Sequence, residues 1–531
     1  MAKPAVQPLP LGTSSFRALR SNGQVYVDKT SLVLKMAERR GGKYFLSRPR
    51  RFGKSLLIST FESLFRNGLD DFQGLFIESA WNDGTYPVVR LDLSRVKDCG
   101  TAELFESAFH GYLKAAFQPA GFSPDDGNNI PFMIQFGLWL ESLPANSLVL
   151  LIDEYDAPLT EVLNDEPLFL KIRAILSAFF AALKSCDGCL RFFFMTGITR
   201  LSNTSIFSAF NSLNDISLDP GYGTLLGYTE EEVRHCFSPW IACAAQSLQT
   251  SEEKVLAELR AYYDGFCFDE EASSNVYCPW SVLSFLDNPK RGFQNYWYGT
   301  GGRSTVLMQF LKGHSLIDPA QYGKERAVRL EILRSSNQYN EQGLEALLTQ
   351  TGYLTIRRMT SSGLAVLGYP NQEVALSMAR LYSDELLKSS SFEPLDGPSV
   401  PEILSSGSLP DVIALFNRAM NAIDSQRYPV RDEASARAYL QVLLLGASLK
   451  PRIEVHSALG RSDLEISVGP RHWVFELKFA KASDSPEKLL GEAIEQMRSR
   501  RYGEERPGSE MIRAALVFSE KERRFSLWKQ A

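Results

Sequence analysis

The sequence predicts an α/β protein of more than one domain, with a parallel sheet near the N-terminus and a second α/β unit at the C-terminus. Three observations carry this. Lys43 to Ser55 (KYFLSRPRRFGKS) reads as strand, tight loop and helix, because Leu56, Leu57, Thr60, Phe61, Leu64 and Phe65 recur at helical spacing after it. Ser147 to Glu154 (SLVLLIDE) reads as a strand buried on both faces that ends in two acids. From about residue 430 the order of elements changes to α-β-β-β-α-β.

The elements follow in order. Gln24 to Val27 is a short strand candidate, and Thr30 to Glu38 a helix capped by Asp28 or Thr30. The stretch Lys43 to Ser55 is the setting of a phosphate-binding loop, in which backbone N–H groups at a helix N-terminus face an anion. Lys54 then reaches the terminal phosphates and Ser55 holds the metal. Arg48 stands where the pattern G-x-x-x-x-G-K-[ST] has its first glycine, so the loop closes differently. A basic surface turn is the alternative, since Arg48, Arg50, Arg51 and Lys54 crowd together.

Tyr86 to Leu93 is strand-like, and Thr101 to Phe117 is helical, opened by Thr101. In open α/β sheets the ligand sits at the carboxyl ends of the strands, where Asp153 and Glu154 emerge. In an ATPase the first acid holds Mg²⁺ and the second orients the attacking water. A plain acidic turn is the alternative for this run alone. Leu190 to Met195 is a further strand running into Thr196-Gly197-Ile198-Thr199-Arg200. Thr196 at its tip is a candidate contact to phosphate or water, and Arg200 a candidate for stabilising transition-state charge, against the reading of a strand and glycine turn.

Composition bounds these readings. At 531 residues the chain exceeds one hydrophobic core, and 44% hydrophobic with 22% charged residues is ordinary globular composition. A net charge of -5 restricts any nucleic-acid surface to a local basic patch. The N-terminus lacks a signal-peptide core and no long apolar run occurs, so a soluble, cytoplasmic protein without membrane contact is expected. Seven scattered cysteines read as reduced thiols, and Cys186-Asp187-Gly188-Cys189 as a turn rather than half a zinc site. None of the five histidines has H-x-x-x-H spacing or a Ser or Cys partner evident in the sequence, and no G-x-S-x-G elbow occurs.

RPRRFGKSL, LLIDEYDAPL, FMTGITRLSNTSIFSAFNSLNDISL, LGYTEEEV, YYDGFCF and TGYLT together resemble the AAA-ATPase-like family of bacterial and archaeal proteins with a C-terminal PD-(D/E)XK nuclease-like domain. In that family the loop has the form of Arg48 to Ser55. The resemblance implies an AAA-like P-loop domain over 1–227, with Arg51, Gly53, Lys54, Ser55, Asp153, Thr196 and Arg200 around ATP and Glu154 catalytic. A helical lid and a winged-helix-like module follow over 228–390 and a nuclease-like domain over 402–531.

In the middle, a helix near Leu344 to Thr351, strand Tyr353 to Arg357 and return strand Leu364 to Gly368 are compatible with a winged helix using Arg357 and Arg358 on nucleic acid, or with plain packing. Ser389 to Pro401 has linker composition. In the last part Glu433 opens a helix, Arg452 to His456, Asp463 to Val468 and His472 to Lys478 are strands, Gly460-Arg461-Ser462 lies between two of them, Pro486 to Arg501 is a helix and Ile512 to Phe518 a strand.

Glu476 and Lys478, two apart on a strand, share a face. With Asp463 they form the D…ExK grouping of metal-dependent nucleases: two carboxylates hold Mg²⁺ at the scissile phosphate and the lysine positions water or neutralises charge. Solvated ion pairs on a hairpin are the alternative. Glu433 resembles the family's extra acid and Gln496 its accessory polar residue. The metal candidates are therefore Ser55 and Asp153 in one domain and Glu433, Asp463 and Glu476 in the other. Arg498, Arg500 and Arg501 are candidates for a phosphate backbone, or the favourable positive residues of a helix end.

The expected function is an ATP-hydrolysing domain regulating a Mg²⁺-dependent nuclease that cuts DNA in preference to RNA. The alternative is a nucleotide-dependent switch or scaffold with one inactive engine. A homo-oligomer is compatible with the AAA-like resemblance.

Overall fold

A computed structural model describes residues 7–125, 127, 129–200, 213–298, 307, 322–334, 343–387, 392, 394, 397–457, 460–500, 502 and 509–531. The chain divides into two compact units, residues 1–314 with 325–374, and residues 315–324 with 375–531.

The first unit is organised on a five-stranded parallel sheet of β1 (Gly42–Ser47), β2 (Val88–Asp92), β3 (Leu148–Asp153), β4 (Leu190–Gly197) and β5 (Asn214–Asp215), in the order β2-β3-β4-β1-β5. β4 thus separates the loop strand from the acidic strand, which leaves space for a ligand between their carboxyl ends. Every residue of β3 and of β4 is buried, as their unbroken apolar runs require of strands covered on both faces. Helices α1 (Phe16–Ser21), α2 (Thr30–Ala37) and α3 (Lys54–Asn67) come before β2. From α3, Phe61 and Phe65 stack on Phe192 of β4 at centroid distances of 4.8 and 5.0 Å. Another core joins the sheet to α4 (Ala102–Phe117), α5 (Phe132–Glu141) and α7 (Glu166–Ser185), with Phe179 in ring contact with both Phe109 and Phe136; the short α6 (Ala157–Glu161) follows β3.

Local chemistry sets the boundaries. Thr101 caps α4 by accepting the Leu104 N–H. Asp28, not Thr30, closes the start of α2, accepting from the Thr30 N–H and hydroxyl at 2.8 and 2.6 Å. Asp187–Cys189 is a single 3₁₀ turn. Gln24 to Val27 corrects a sequence expectation. The segment is extended but is no strand, because Val25 N–H bonds only the lone carbonyl of Pro8 in the N-terminal arm, at 3.1 Å.

Four helices continue the first unit: α8 (Glu230–Cys236), α9 (Ser238–Ser247), α10 (Glu252–Tyr263) and α11 (Pro279–Asp287). β6 (Arg326–Arg329), α12 (Leu330–Arg334), α13 (Leu344–Gln350), β7 (Thr355–Met359) and β8 (Leu364–Gly368) come next, and the three strands form an antiparallel sheet of order β6-β8-β7. This is the expected helix and hairpin with one more strand on its edge.

Helix α14 (Gln372–Leu387) leads into the second unit, which holds α15 (Val400–Ser406), α16 (Leu409–Ala422) and α17 (Glu433–Gly446). Its mixed sheet of β9 (Arg452–Ser457), β10 (Gly460–Val468), β11 (Arg471–Ala480), β12 (Glu510–Ser519) and β13 (Arg524–Gln530) runs in the order β13-β12-β11-β10-β9. Only β11 and β12 are parallel, joined across α18 (Pro486–Ser499). Trp473 is fully buried, stacks on Phe475 and donates its indole N–H to Leu404 O at 2.7 Å. Losing such a side chain costs about 3–5 kcal/mol. β13 extends the sequence-read order by one strand. Gly460, Arg461 and Ser462, read as lying between two strands, are the start of β10, and a Cβ on Gly460 would lie 2.6 Å from Arg500 Cδ and 2.9 Å from Tyr502 Cε1, so close packing requires the glycine. Among the described residues, no helix is long and apolar enough to cross a membrane.

Candidate functional site

The phosphate-type loop runs from the end of β1 into α3. Arg51 at φ 71° and Gly53 at φ 93° both take left-handed backbone, and Gly53 stands at the N-cap with no side-chain acceptor for the helix N–H groups. Arg48 is 1% exposed. Its Nη1 donates to the carbonyls of Ser47 and Ser217 at 2.9 and 2.7 Å and its Nη2 to that of Tyr222 at 3.2 Å, while the guanidinium lies 4.3 Å from the Phe268 ring centroid. Burial pulls it down to about 9, so it stays charged at neutral pH. The residue in place of the first glycine therefore points into the protein and anchors the loop. Of the basic residues in this turn, Arg51 stays exposed, whereas Arg48 is buried.

Lys54 is also buried, and donates to the carbonyls of Arg48 and Pro49, each at 3.0 Å. Burial lowers its pKa while Asp153, Glu154 and Asp156 oppose the shift. Asp153 is 3% exposed; burial raises its pKa, and the Ser55 hydroxyl bond, Lys54 and Arg90 counter that. Glu154 sits at φ 48°, also raised by burial, with Lys54 pulling down and Asp153 pushing up. Lys54, Ser55, Asp153 and Glu154 are thus one electrostatic group. Strained backbone at the second acid is typical of sites whose surroundings fix it.

Asp156 was not apparent from sequence. Buried at 2% exposure, it accepts from the N–H groups of Ile198 and Thr199 and from the Thr199 hydroxyl at 2.7–3.3 Å, tying the end of β3 to the turn after β4. A Cβ on Gly197 would lie 2.5 Å from its Oδ1, which explains that glycine. Thr196 is buried and its hydroxyl donates to Leu46 O at 2.7 Å, inside the sheet. Arg200 pairs with Asp215 at 3.0 Å and lines a cavity of about 530 Å³ with Ser47, Pro49, Glu270 and Arg334. Residues 201–212 of the resembling motif lie outside the described residues. A separate slot of about 80 Å³ runs beside Phe52, Gly53 and Leu56, walled by Val25, Val27 and Leu226.

In the second unit, Asp463 on β10 lies opposite Glu476 on β11 by the register of the flanking pairs. Lys478 Nζ is 3.3 Å from Glu476 Oε1 and 3.7 Å from Glu433 Oε1. The sheet pleat and the start of α17 therefore bring the four predicted residues together. Burial and then Asp463 push Glu476 up to about 7 against Lys478. Burial works against the Lys478 ammonium, but Glu433 and Glu476 outweigh it and raise its pKa. Among the described residues Glu476 Oε2 is buried without a hydrogen-bond partner, an oxygen fit for a hard cation.

Arg437, one turn beyond Glu433, was missed. Its Nη1 donates to Asp463 Oδ1 at 3.1 Å and its Nη2 to Glu454 Oε1 at 2.8 Å, and Asp463 Oδ2 accepts the Leu477 N–H at 2.8 Å. Among the described residues, no three His, Cys, Asp or Glu side chains converge as a metal site. Gln496 Nε2 donates to the Tyr502 hydroxyl at 2.9 Å, and Arg500 Nη1 to the same oxygen at 3.2 Å. Arg501 lies outside the described residues. Arg357 donates to Pro370 O at 3.1 Å and Arg358 pairs with Glu325 at 2.7 Å.

One exclusion from sequence is corrected. His472 Nδ1 lies 2.8 Å from Ser467 Oγ and its Nε2 3.3 Å from Glu465 Oε2, because Ser467 and His472 are cross-strand partners and Glu465 shares the face of Ser467. Arg452 and Ser462 also bind Glu465, at 2.7 and 2.8 Å, making a cross-strand network.

Residues 10–207 match a family described as predicted AAA-ATPase, and residues 435–528 one described as the PD-(D/E)XK nuclease superfamily. The chain is 29% identical over 510 residues to an uncharacterized protein in the vnfD 5′ region of Azotobacter chroococcum mcd 1, covering 93% of each. Among solved structures it is similar to Cdc6p from Pyrobaculum aerophilum (12% identity, TM-score 0.23) and to the Aeropyrum pernix ORC2 protein in ADPNP-ADP complexes (11%, TM-score 0.28); each comparison covers 72% of this chain and 97% of the other. The architecture is an AAA-ATPase-like region followed by a PD-(D/E)XK nuclease-superfamily region.

Proposed function

We propose that the first unit binds and hydrolyses ATP and that the second is a Mg²⁺-dependent nuclease acting on DNA under its control. The observation that carries this reading is the presence in one chain of two separate lysine and carboxylate groups, Lys54 with Asp153 and Glu154, and Lys478 with Glu476 and Glu433.

In the ATP reaction the N–H groups of residues 51–55 take the phosphates and Lys54 leaves the loop carbonyls for them. Ser55 and Asp153 would hold a Mg²⁺ ion, which would supply positive charge for the phosphates. Glu154, raised by burial, orients and accepts a proton from the attacking water. The slot beside Phe52 and Leu56 has the apolar walls a nucleobase needs.

In the nuclease, Asp463, Glu476 and Glu433 would hold the metal ion, and the chemistry it would supply there is Lewis-acid activation of the phosphate and of water. The partnerless Glu476 Oε2 supports this, and Asp463 joins once Arg437 shifts its weight to Glu454. Lys478 holds negative charge at the phosphate, and Arg498 and Arg500 are cations for the strand.

A second reading, a nucleotide-dependent switch with a silent nuclease, is favoured by the hold of Arg437 on Asp463. Metal binding separates the two. Isothermal titration of Mn²⁺ into wild type and Glu476→Ala shows one affinity lost in the variant if the nuclease reading is right; no binding in wild type favours the switch.

A further inference from the structure

Two tryptophans from outside the five-stranded sheet rest on the phosphate loop. Trp297 Nε1 donates to Arg50 O at 3.2 Å, and the Arg51 guanidinium lies 4.1 Å from the Trp280 ring centroid. One carboxyl holds both segments. Glu373 is fully buried, its Oε1 accepting the Trp297 backbone N–H and its Oε2 the Ser281 hydroxyl, each at 2.7 Å. Burial pushes it up to about 8. Trp297 packs edge-on to Tyr353 at 5.1 Å. A Cβ on Gly352 would lie 2.8 Å from Pro49 Cγ and 3.4 Å from the Trp297 ring, so the glycine lets the loop seat against this wall.

A loop that offers N–H groups to an anion must turn its carbonyls away and keep them bonded. Here Lys54 takes the carbonyls of Arg48 and Pro49, and Trp297 takes the next one, Arg50. When Lys54 moves to phosphate, Trp297 still holds the Arg50 carbonyl, beyond the reach of the Arg48 anchor at Ser47.

We infer that Trp297 is a positioning residue of the phosphate loop, fastened by Glu373, so that nucleotide affinity is set by the 279–297 segment as well as by the loop. The inference rests on the reading of Lys54 as part of a nucleotide site. Residues about 250 positions apart in sequence thus act as one binding element.

The test is titration of a fluorescent ADP analogue and of its ATP counterpart into the full chain carrying Trp297→Phe, which removes the indole N–H and keeps a ring against Tyr353. Affinity for both is expected to weaken about tenfold, as for loss of one hydrogen bond that organises a charged site, with the nucleotide-free melting temperature close to wild type. Glu373→Gln is expected to weaken it less, since one acceptor oxygen remains. Wild-type affinity in Trp297→Phe overturns the positioning role. Should that variant not fold, hydrogen exchange of the wild type decides: ADP must slow exchange in peptides covering 279–297 together with the loop, and protection of the loop alone overturns the inference. Lys54→Ala separates the two levels. If neither wild type nor any variant binds nucleotide, the underlying reading fails; if Lys54→Ala loses binding and Trp297→Phe does not, only the positioning role fails.

Discussion

Arg437 reaches across from α17 to hold Asp463, with Nη1 3.1 Å from Oδ1 and both side chains mostly buried. The same guanidinium binds Glu454, which takes left-handed backbone at φ 49° on the neighbouring strand. Two cations, Arg437 and Lys478, thus balance a crowd of carboxylates. Arg437→Ala takes the cation from Asp463, while Glu454 keeps Arg461 at 3.1 Å and Glu433 and Glu476 keep Lys478, and should destabilise the C-terminal unit by about 1–3 kcal/mol without divalent ions. Mn²⁺ should restore more stability in the variant than in wild type. Urea midpoints with and without Mn²⁺ measure both, and identical shifts in the two proteins would contradict the competition.

Arg48→Gly restores the glycine of the common loop pattern, yet is expected to harm the protein. It removes three hydrogen bonds to the carbonyls of Ser47, Ser217 and Tyr222 and the contact with Phe268. A loss of about 2–4 kcal/mol and weaker ADP binding are expected in chemical denaturation and titration. A variant as stable as wild type that binds ADP more tightly would show the anchor to be dispensable.

Glu154→Gln keeps the size of the side chain and removes the base. ATP turnover should fall by at least about a hundredfold while ATP affinity stays near wild type. Phosphate-release kinetics beside an ATP titration check this, and an equal fall in affinity would assign Glu154 to binding instead.

Glu373 gives stability a pH dependence whose sign follows from its pKa of about 8 in the fold against 4.5 ordinarily. Between those values the folded chain holds a proton that the unfolded chain releases. Stability from this group is therefore lost as pH rises, by at most about 1.4 kcal/mol per pH unit. Glu373→Gln should flatten the decline in melting temperature from pH 5 to pH 8 (roughly the window in which this group differs between the two states). An unchanged decline would place the titration elsewhere.

What was legible in the sequence is local. Lys54 and Ser55 follow their strand directly, Asp153 and Glu154 end an apolar run, and Glu476 and Lys478 share a face by simple alternation. Asp463 needed the order of elements, and Glu433 the family resemblance. The partners of these residues were not legible, because they are distant in sequence: Arg48 with Ser217 and Phe268, Trp297 with Arg50, Asp156 with Thr199. Arg437 carried the one usable hint, its spacing of four from Glu433 on a helix, which puts both on one side. Gln24 to Val27 misled because composition suggests an extended run without saying what pairs beside it. Thr196 shows the same limit, since a polar residue at a strand tip can bond a neighbouring strand instead of a ligand.

Cleavage of DNA under the control of ATP is measured by incubating supercoiled plasmid and single-stranded DNA with wild type, Asp463→Ala and Lys54→Ala, in Mg²⁺ or Mn²⁺, with and without ATP. Wild type is expected to cut in a way that changes with ATP, Asp463→Ala not to cut, and Lys54→Ala to cut without responding to ATP. No cutting by wild type under any of these conditions, or equal cutting by Asp463→Ala, would contradict this expectation.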